Sequence, residues 1–460
     1  MQENKMGTMP VGKLLLNMSL PMVAAMLVQA LYNVVDTYFV AKLGINAVTA
    51  VSASFAIQNL MIGVATGTGV GVNALLSKSL GEKRYDRANR IAANGVVLAG
   101  VGFAIFLIFG LFFTKGYFSI MSNIPEVQEM GFDYLSVVTI FSFGIFGEIM
   151  FERLMQATGK TLYTMFTQGL GALLNIVLDP IFIFGWGPIA PMGVKGAAVA
   201  TVVGQIAAFV LGIILNQIFN KEIRLKARLF RPDFRLCAKI YSIGVPSIIM
   251  VAIGSIMNFF MNQILKGIDP TEVAIAVFGI YFKLQSFVFM PVFGMNNGLI
   301  PIMAFNYGAQ NRLRMMKAFK LAIAAAFCIM TTGLIIMQIF PEPLLMMFSS
   351  GDDFDSSTLL AFGVPALRII SICFPSAAIG IIIGSVFQAL GKSVFSMIIS
   401  ICRQLVLLIP AAALLALFGK VELVWWSYPI AEIGALIMSA FMFLHIYKNT
   451  LKDIPEGAKA

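Results

Sequence analysis

The stretch Met155-Gln-Ala-Thr-Gly-Lys-Thr-Leu-Tyr-Thr-Met165 returns 232 residues later as Phe387-Gln-Ala-Leu-Gly-Lys-Ser-Val-Phe-Ser-Met397. A Gln-Ala-x-Gly-Lys turn followed by the same order of hydroxyl, aliphatic, aromatic, hydroxyl and Met is too specific to recur by chance, so the chain is built twice. Working outward, Leu80-Gly-Glu-Lys-Arg84 has its counterpart in Tyr307-Gly-Ala-Gln-Asn311, and Gly67 and Gly71 fall on Gly294 and Gly298. Further upstream, Pro21 falls on Pro246 and Asn33 on Asn258.

Both copies are apolar. Hydrophobic residues make up 59% of the 460 and charged ones 12%, against roughly 25% charged in soluble domains. This is an integral membrane protein with no room for a soluble catalytic domain, and it is not expected to be an enzyme. The first dozen residues are polar and lead into an apolar segment without a small-residue cleavage site, so no signal peptide is expected. Cys237, Cys328, Cys373 and Cys402 carry no disulfide or metal pattern, and the single histidine, His445, leaves zinc or triad chemistry without its parts. No cofactor is expected.

A spanning helix needs about 20 mainly apolar residues. Twelve segments qualify, at approximately 14–41, 46–77, 90–113, 127–156, 161–184, 195–218, 237–265, 273–304, 317–340, 357–388, 393–418 and 424–447. The expected fold is therefore an all-α integral membrane protein of twelve transmembrane helices in two pseudo-symmetric six-helix bundles. Its divisions are an N-terminal bundle (1–218), a basic cytoplasmic linker (219–236), a C-terminal bundle (237–450) and a cytoplasmic tail (451–460). With an even number of spans per half, both halves enter the membrane in the same direction, and the substrate site is expected between them.

Placing the N-terminus inside puts 24 of the 32 Lys and Arg on inner segments and only Lys42, Lys115, Lys195, Lys266 and Lys420 outside. The positive-inside rule thus gives both termini to the cytoplasm of a cell (inner) membrane protein. The net charge of +10 reads as orientation plus attraction to anionic lipid, with no nucleic acid as partner. The acidic stretch Gly351-Asp-Asp-Phe-Asp355 falls on the outer side.

In Asn175-Ile-Val-Leu-Asp-Pro-Ile-Phe-Ile-Phe184 an aspartate sits in an otherwise apolar span. Asp36 and Asp179 each lie six residues before an outer helix end and Thr201 six after one, so all three sit roughly 9 Å below the outer surface. Asn33 and Asn175 stand three and four residues before the two aspartates, on the same helix faces. Pro180 has no N–H for the carbonyl of Ile176 and disfavours helical geometry at Asp179. A charged aspartate in the membrane is costly and tends to take up a proton. Two close together can share a proton, or can hold sodium with oxygens from Asp36, Asn175, Asp179 and Thr201. The second half has Met261, Leu407 and Ala411 at the equivalent positions, which places ion coupling in the first half alone. The alternative weighed against the ion site is that each aspartate caps a helix end or satisfies a stray donor.

Inside its spans the second half carries Lys283, Arg368, Arg403 and Glu432. Arg403 lies about 16 Å from the inner surface, too deep to snorkel. Two readings stay open, an internal network around Glu432 or contact with a substrate that bears an acidic group. Glu148, Glu152 and Arg153 read as an interfacial cluster over an inner gate. Gln29, Tyr32, Gln58, Asn59, Gln285 and Asn296 are cavity candidates, because polar groups avoid lipid. Gly63, Gly67, Gly69 and Gly71 lack the Lys-Ser/Thr ending of a nucleotide loop and read as close helix packing. Energy must then come from an ion gradient.

Several of these features together resemble the multidrug and toxic compound extrusion (MATE) transporters: the Gly81 to Ala88 turn, Gln156-Ala-x-Gly-Lys160, Asn175-x-x-x-Asp179-Pro180 and Gly196-Ala-Ala-Val-Ala-Thr201. The resemblance covers nearly the whole chain. It implies secondary active antiport by alternating access, in which amphipathic, usually cationic, small molecules leave in exchange for protons or sodium. Asp36, Asn175, Asp179 and Thr201 match the family's ion site in the first half, Pro21 and Pro180 are hinge candidates, and a monomer is expected. The alternatives weighed are a flippase for a lipid-linked oligosaccharide and an intramembrane aspartyl protease, whose Tyr-Asp and Gly-x-Gly-Asp signatures are missing here.

Overall fold

The computed structural model describes residues 4–269, 271–347 and 356–457; the acidic stretch 351–355 lies outside them. Among the described residues the regular elements are all helices, joined by turns and loops, with one isolated bridge between Trp186 and Ile189. Among the described residues ten helices are long and apolar enough to cross a membrane, and two bent pairs, each taken as one span, bring the number to twelve. In the first half the spans are Val11–Ala41, Ile45–Gly81, Tyr85–Phe112, the pair Pro125–Ile140 and Phe143–Ala157, Thr161–Phe184 and Val194–Phe219. In the second they are Phe234–Ile268, Val273–Gly308, Arg312–Ile339, the pair Ser357–Ser371 and Phe374–Ala389, Ser393–Ala416 and Val421–Leu451. Both termini lie at one end of the bundle, called here the terminal face.

The repeated motifs mark turns at that face. Gly159 and Gly391 take φ of +85° and +75°, a region where glycine is tolerated and a side chain is not. That requirement is why Gln-Ala-x-Gly-Lys occurs twice. Lys83 and Gln310, also equivalent, take φ of 58° and 55°. Spans seven and nine begin at side-chain caps: Asp233 accepts from the N–H groups of Arg235 and Leu236, and Asn311 from that of Arg314. Each such cap satisfies donors that the first turn leaves free.

Spans four and ten break at matching places, by 44° and 48°. Span ten restarts at Phe374-Pro375, and span four at Ser142-Phe143-Gly144, the residue types that kink helices.

Across the two halves, span one packs on span eight and span two on span seven. These contacts exchange when the repeat is applied, while the pairing of span two with span eight maps onto itself. Small residues bring the backbones together. A Cβ on Gly67 would stand 2.8 Å from the carbonyl oxygen of Gly244, one on Gly71 2.3 Å from that of Ile240, and one on Gly294 2.7 Å from Cα of Val23. Nearest the terminal face, a Cβ on Gly81 would meet the Phe305 oxygen at 2.0 Å and one on Gly308 the Lys78 oxygen at 2.1 Å. All these approaches fall in the halves of the helices next to the terminal face. The molecule is closed there.

The short helix Lys5–Thr8 seals that closure. Asn4 donates to the carbonyl of Thr158 in the first half. The buried guanidinium of Arg314 in the second half donates to the carbonyls of Met6 and Met9 at 3.1 and 2.6 Å. Asn306 adds a bond to the Met6 carbonyl.

Candidate cation site and cavities

Spans one, five and six of the first half pack together, and each supplies one part of the polar cluster. Asp179 is buried on span five and Asp36 half-buried on span one, and their carboxyl groups meet within hydrogen-bonding reach. Asn175, one turn before Asp179, donates through Nδ2 to Asp179 Oδ1 at 3.3 Å and to Thr201 Oγ1 on span six at 3.2 Å. Four residues placed by counting are thus brought together. Among the described residues, three oxygens here, Asp36 Oδ1, Asn175 Oδ1 and Asp179 Oδ2, are buried without a hydrogen-bond partner. Buried acceptors left unpaired are costly. This group of oxygens has the chemistry to accept a proton or a small hard cation.

Two expectations at this cluster are corrected. Asn33 is exposed and stands outside it, because three residues along a helix is a 60° offset from Asp36. Asp179 keeps helical geometry although a proline follows, and the helix Thr161–Phe184 runs through Pro180 unbroken. Packing of span five against spans one and six overrides the local preference, as membrane helices allow. Pro21 likewise sits inside the continuous helix Val11–Ala41.

A cavity of about 230 Å³ adjoins the cluster in the first half. Gln29 and Tyr32 of span one line it, with Asn175 and Thr201 shared with the cluster. Glu148 and Glu152 form its acidic wall. Glu152 is buried and accepts from Thr167 Oγ1 at 2.9 Å and Gln168 Nε2 at 2.8 Å. The expectation of an interfacial cluster is therefore corrected: the break in span four turns these carboxylates inward. Arg153 lies between the halves and donates from Nη1 to Gln156 at 2.9 Å and to Asn297 of span eight at 3.0 Å.

Two further cavities of about 460 and 300 Å³ share Arg403, Gln404 and Glu432 in their walls; the larger lies between the halves, walled also by Met26, Thr66, Gly67, Val70 and Arg153 of the first, and the smaller is lined by the second half. Asn296 lines the first and Gln285 the second. Arg403 and Glu432 are paired, with Nη1 3.5 Å from Oε2, so both readings of Arg403 meet in one place.

Lys283 and Arg368 are corrected: both are exposed and outside these cavities. Lys283 stands two residues from the buried Tyr281 and from cavity-lining Gln285, hence on the opposite helix face. Arg368 follows the buried pair Ala366 and Leu367 and faces outward. Gln58 is half-buried and donates to the Tyr134 hydroxyl at 3.1 Å, and Asn59 is half-buried. Neither lines the cavities described.

Sequence reading missed Gln168, Gln205 and Asn297 on the cavity walls. Gln168 carried a signal, since it lies seven residues before Asn175 and so on the same helix face. It also missed the π-helical turn Cys402–Leu408 that carries Arg403 and Gln404.

Paired six-span halves closed at one face, with polar cavities within and between them, define a twelve-span membrane transporter. The family model described as MatE matches residues 21–181 and 246–414, one copy in each half. The chain belongs to the MatE family. It is 27% identical over 429 residues to the FAD transporter of Shewanella oneidensis, covering 92% of each chain. It is 24% identical over 448 residues to the multidrug export protein MepA of Staphylococcus aureus, covering 96% of this chain and 95% of that one. Among solved structures, MATE in complex with MaL6 matches with a TM-score of 0.91 at 24% identity, covering 98% of this chain and 99% of that one. A MOP superfamily transporter from Pyrococcus furiosus, described by a reverse polarity of its binding pocket, matches with 0.90 at 25% identity over the same shares.

Proposed function

We propose that this chain is a secondary active antiporter that exports amphipathic small molecules in exchange for protons or sodium. The observation that carries the reading is that one helix serves both sites. Span one supplies Asp36 to the carboxylate pair and Met22, Met26, Gln29 and Tyr32 to the adjoining cavity. Two carboxylates in contact repel unless a proton or cation lies between them. Occupancy therefore favours one packing of span one against span five, and vacancy another. Any compound that prefers the cavity shape of the vacant state is expelled when the ion binds, and the linkage is reciprocal.

A proton bridges Asp36 and Asp179 directly in this scheme. Sodium would be held by oxygens of Asp36, Asn175, Asp179 and Thr201, and the three unpartnered oxygens support that donor set. The acidic wall of Glu148 and Glu152 suits the cationic end of an amphipathic compound. The names of the relatives, a multidrug export protein and an FAD transporter, support an organic cargo. The terminal face is assigned to the cytoplasm of the cell (inner) membrane by its Lys and Arg, which makes the closed end the inner one and the structure outward-facing. The protein works as a monomer in this scheme.

Efflux of a cationic dye from proteoliposomes, with pH and sodium gradients imposed separately, tests the proposal. One gradient drives efflux in the parent protein, and Asp36→Asn and Asp179→Asn abolish it. Uphill efflux by either variant sinks the reading.

A further inference from the structure

We infer that Arg403 is a specificity residue that receives an acidic group of the transported compound in the cavity of the second half, with Glu432 holding the guanidinium until that group arrives. The inference rests on the exporter reading above and adds a substrate class to it.

The repeat carries the argument. Glu148 and Glu152 of the first cavity correspond, 232 residues on, to Gly380 and Gly384, and both glycines line the second cavity. Gly171 and Ala172 of the first cavity correspond to Arg403 and Gln404. The same two helix faces thus wall both cavities, but acidic residues have been exchanged for glycine on one helix and small residues for Arg and Gln on the other. Where the first half presents two carboxylates on span four, the second presents two glycines on span ten; a Cβ on Gly380 would stand 3.7 Å from Glu432 Oε1, the carboxylate that holds the Arg403 guanidinium.

Local structure aims that guanidinium. Cys402–Leu408 is a π-helical turn, a rare geometry that widens a helix and recurs at functional sites. Arg403 is 32% exposed and Glu432 10%. Their contact is single, Nη1 to Oε2 at 3.5 Å, rather than the two parallel bonds of a full arginine-carboxylate fork. A ligand carboxylate, sulfonate or phosphate can make that fork. Arg153, with amide hydrogen-bond partners, also borders the larger cavity, so its wall carries two guanidinium groups against one carboxylate.

The rest of the smaller cavity describes the ligand. Tyr281, Phe282, Phe289 and Tyr428 give it aromatic walls. Asn258 Oδ1 and Gln285 Oε1 are buried there without a partner and can accept from ligand N–H or O–H groups. An aromatic compound with hydrogen-bond donors and one acidic group fits.

The test uses a carboxylate-bearing xanthene dye and its methyl ester, measured both as equilibrium binding to the purified protein and as gradient-driven efflux from proteoliposomes. The parent protein binds the acid in preference to the ester. Arg403→Gln lowers the acid-to-ester affinity ratio by about tenfold or more, and Arg403→Lys restores part of it because charge returns without the fork. Glu432→Gln, which removes the competing carboxylate, raises the ratio and serves if Arg403→Gln does not fold. An unchanged ratio in these variants, or a parent protein that prefers the ester, overturns the inference. Failure of the exporter reading shows separately, as absent efflux of every dye while the binding preference persists.

Discussion

Arg153 of the first half donates from Nη1 to Asn297 Oδ1 of the second, 3.0 Å away, and the contact borders cavities of both halves. A buried guanidinium that loses an acceptor bears its desolvation cost uncompensated. Asn297→Ala is expected to lower stability by about 1–3 kcal/mol, read as thermal unfolding of the detergent-solubilised protein. A change smaller than the scatter among surface variants would show that the contact is incidental.

Gly308→Ala tests the closure at the terminal face. Its Cβ would stand 2.1 Å from the Lys78 carbonyl oxygen, and overpacking of this kind costs about 1–3 kcal/mol. The halves are expected to part at that end. Spin labels at Lys83→Cys and Lys317→Cys should show a longer distance distribution in the alanine variant, and an unaltered distribution would refute the steric argument.

Asn175→Leu separates fold from function. Asn175 packs near Gly204, where a glycine Cβ would lie 3.7 Å from its own, and its counterpart Leu407 packs on Gly434. The fold has therefore already accepted leucine at this point of the repeat. The variant is expected to keep the fold, at a cost of about 1–3 kcal/mol for the acceptors it leaves unpaired, while losing gradient-driven efflux, because the donor to Asp179 and Thr201 is gone. Retained coupling would mean that Asn175 only packs.

Removal of residues 2–9 takes the Met6 and Met9 carbonyls away from Arg314. Bonds to a charged group are worth about 1.5–3 kcal/mol each, so the truncated chain should unfold at a clearly lower temperature. Lys13→Ala, an exposed site on the same segment, serves as control and should change stability by about 0.5 kcal/mol or less.

Features set by composition and by repetition were legible in the sequence. The twelve spans, the two halves and the meeting of Asp36, Asn175, Asp179 and Thr201 follow from apolar run length and from counting rise per residue. Depth is a linear quantity, and counting suffices for it. Helix phase is less forgiving: Asn33, Lys283 and Arg368 stand on exposed faces of their helices, since which face is buried depends on neighbours several spans away. The inward turn of Glu148 and Glu152 depends on the break at Phe141-Ser142, which has no proline to announce it. The π-helical turn around Arg403 had a visible correlate in Pro410, which withholds an N–H from the helix, but proline alone does not say how the chain responds.

The contact between Gly81 and Gly308 has the form of a homodimer interface folded into one polypeptide. The two glycines are 227 residues apart, and so are Lys78 and Phe305, and Glu82 and Ala309. Gly81 rests on Phe305 and Ala309 while Gly308 rests on Lys78 and Glu82, so residue i meets j and the image of j meets the image of i. Such a joint is self-complementary: one patch, used twice, satisfies both sides. A change to that patch in one half leaves the other half's copy intact, so single-sided variants should weaken the joint by one of its two equal parts, and the paired variant by both.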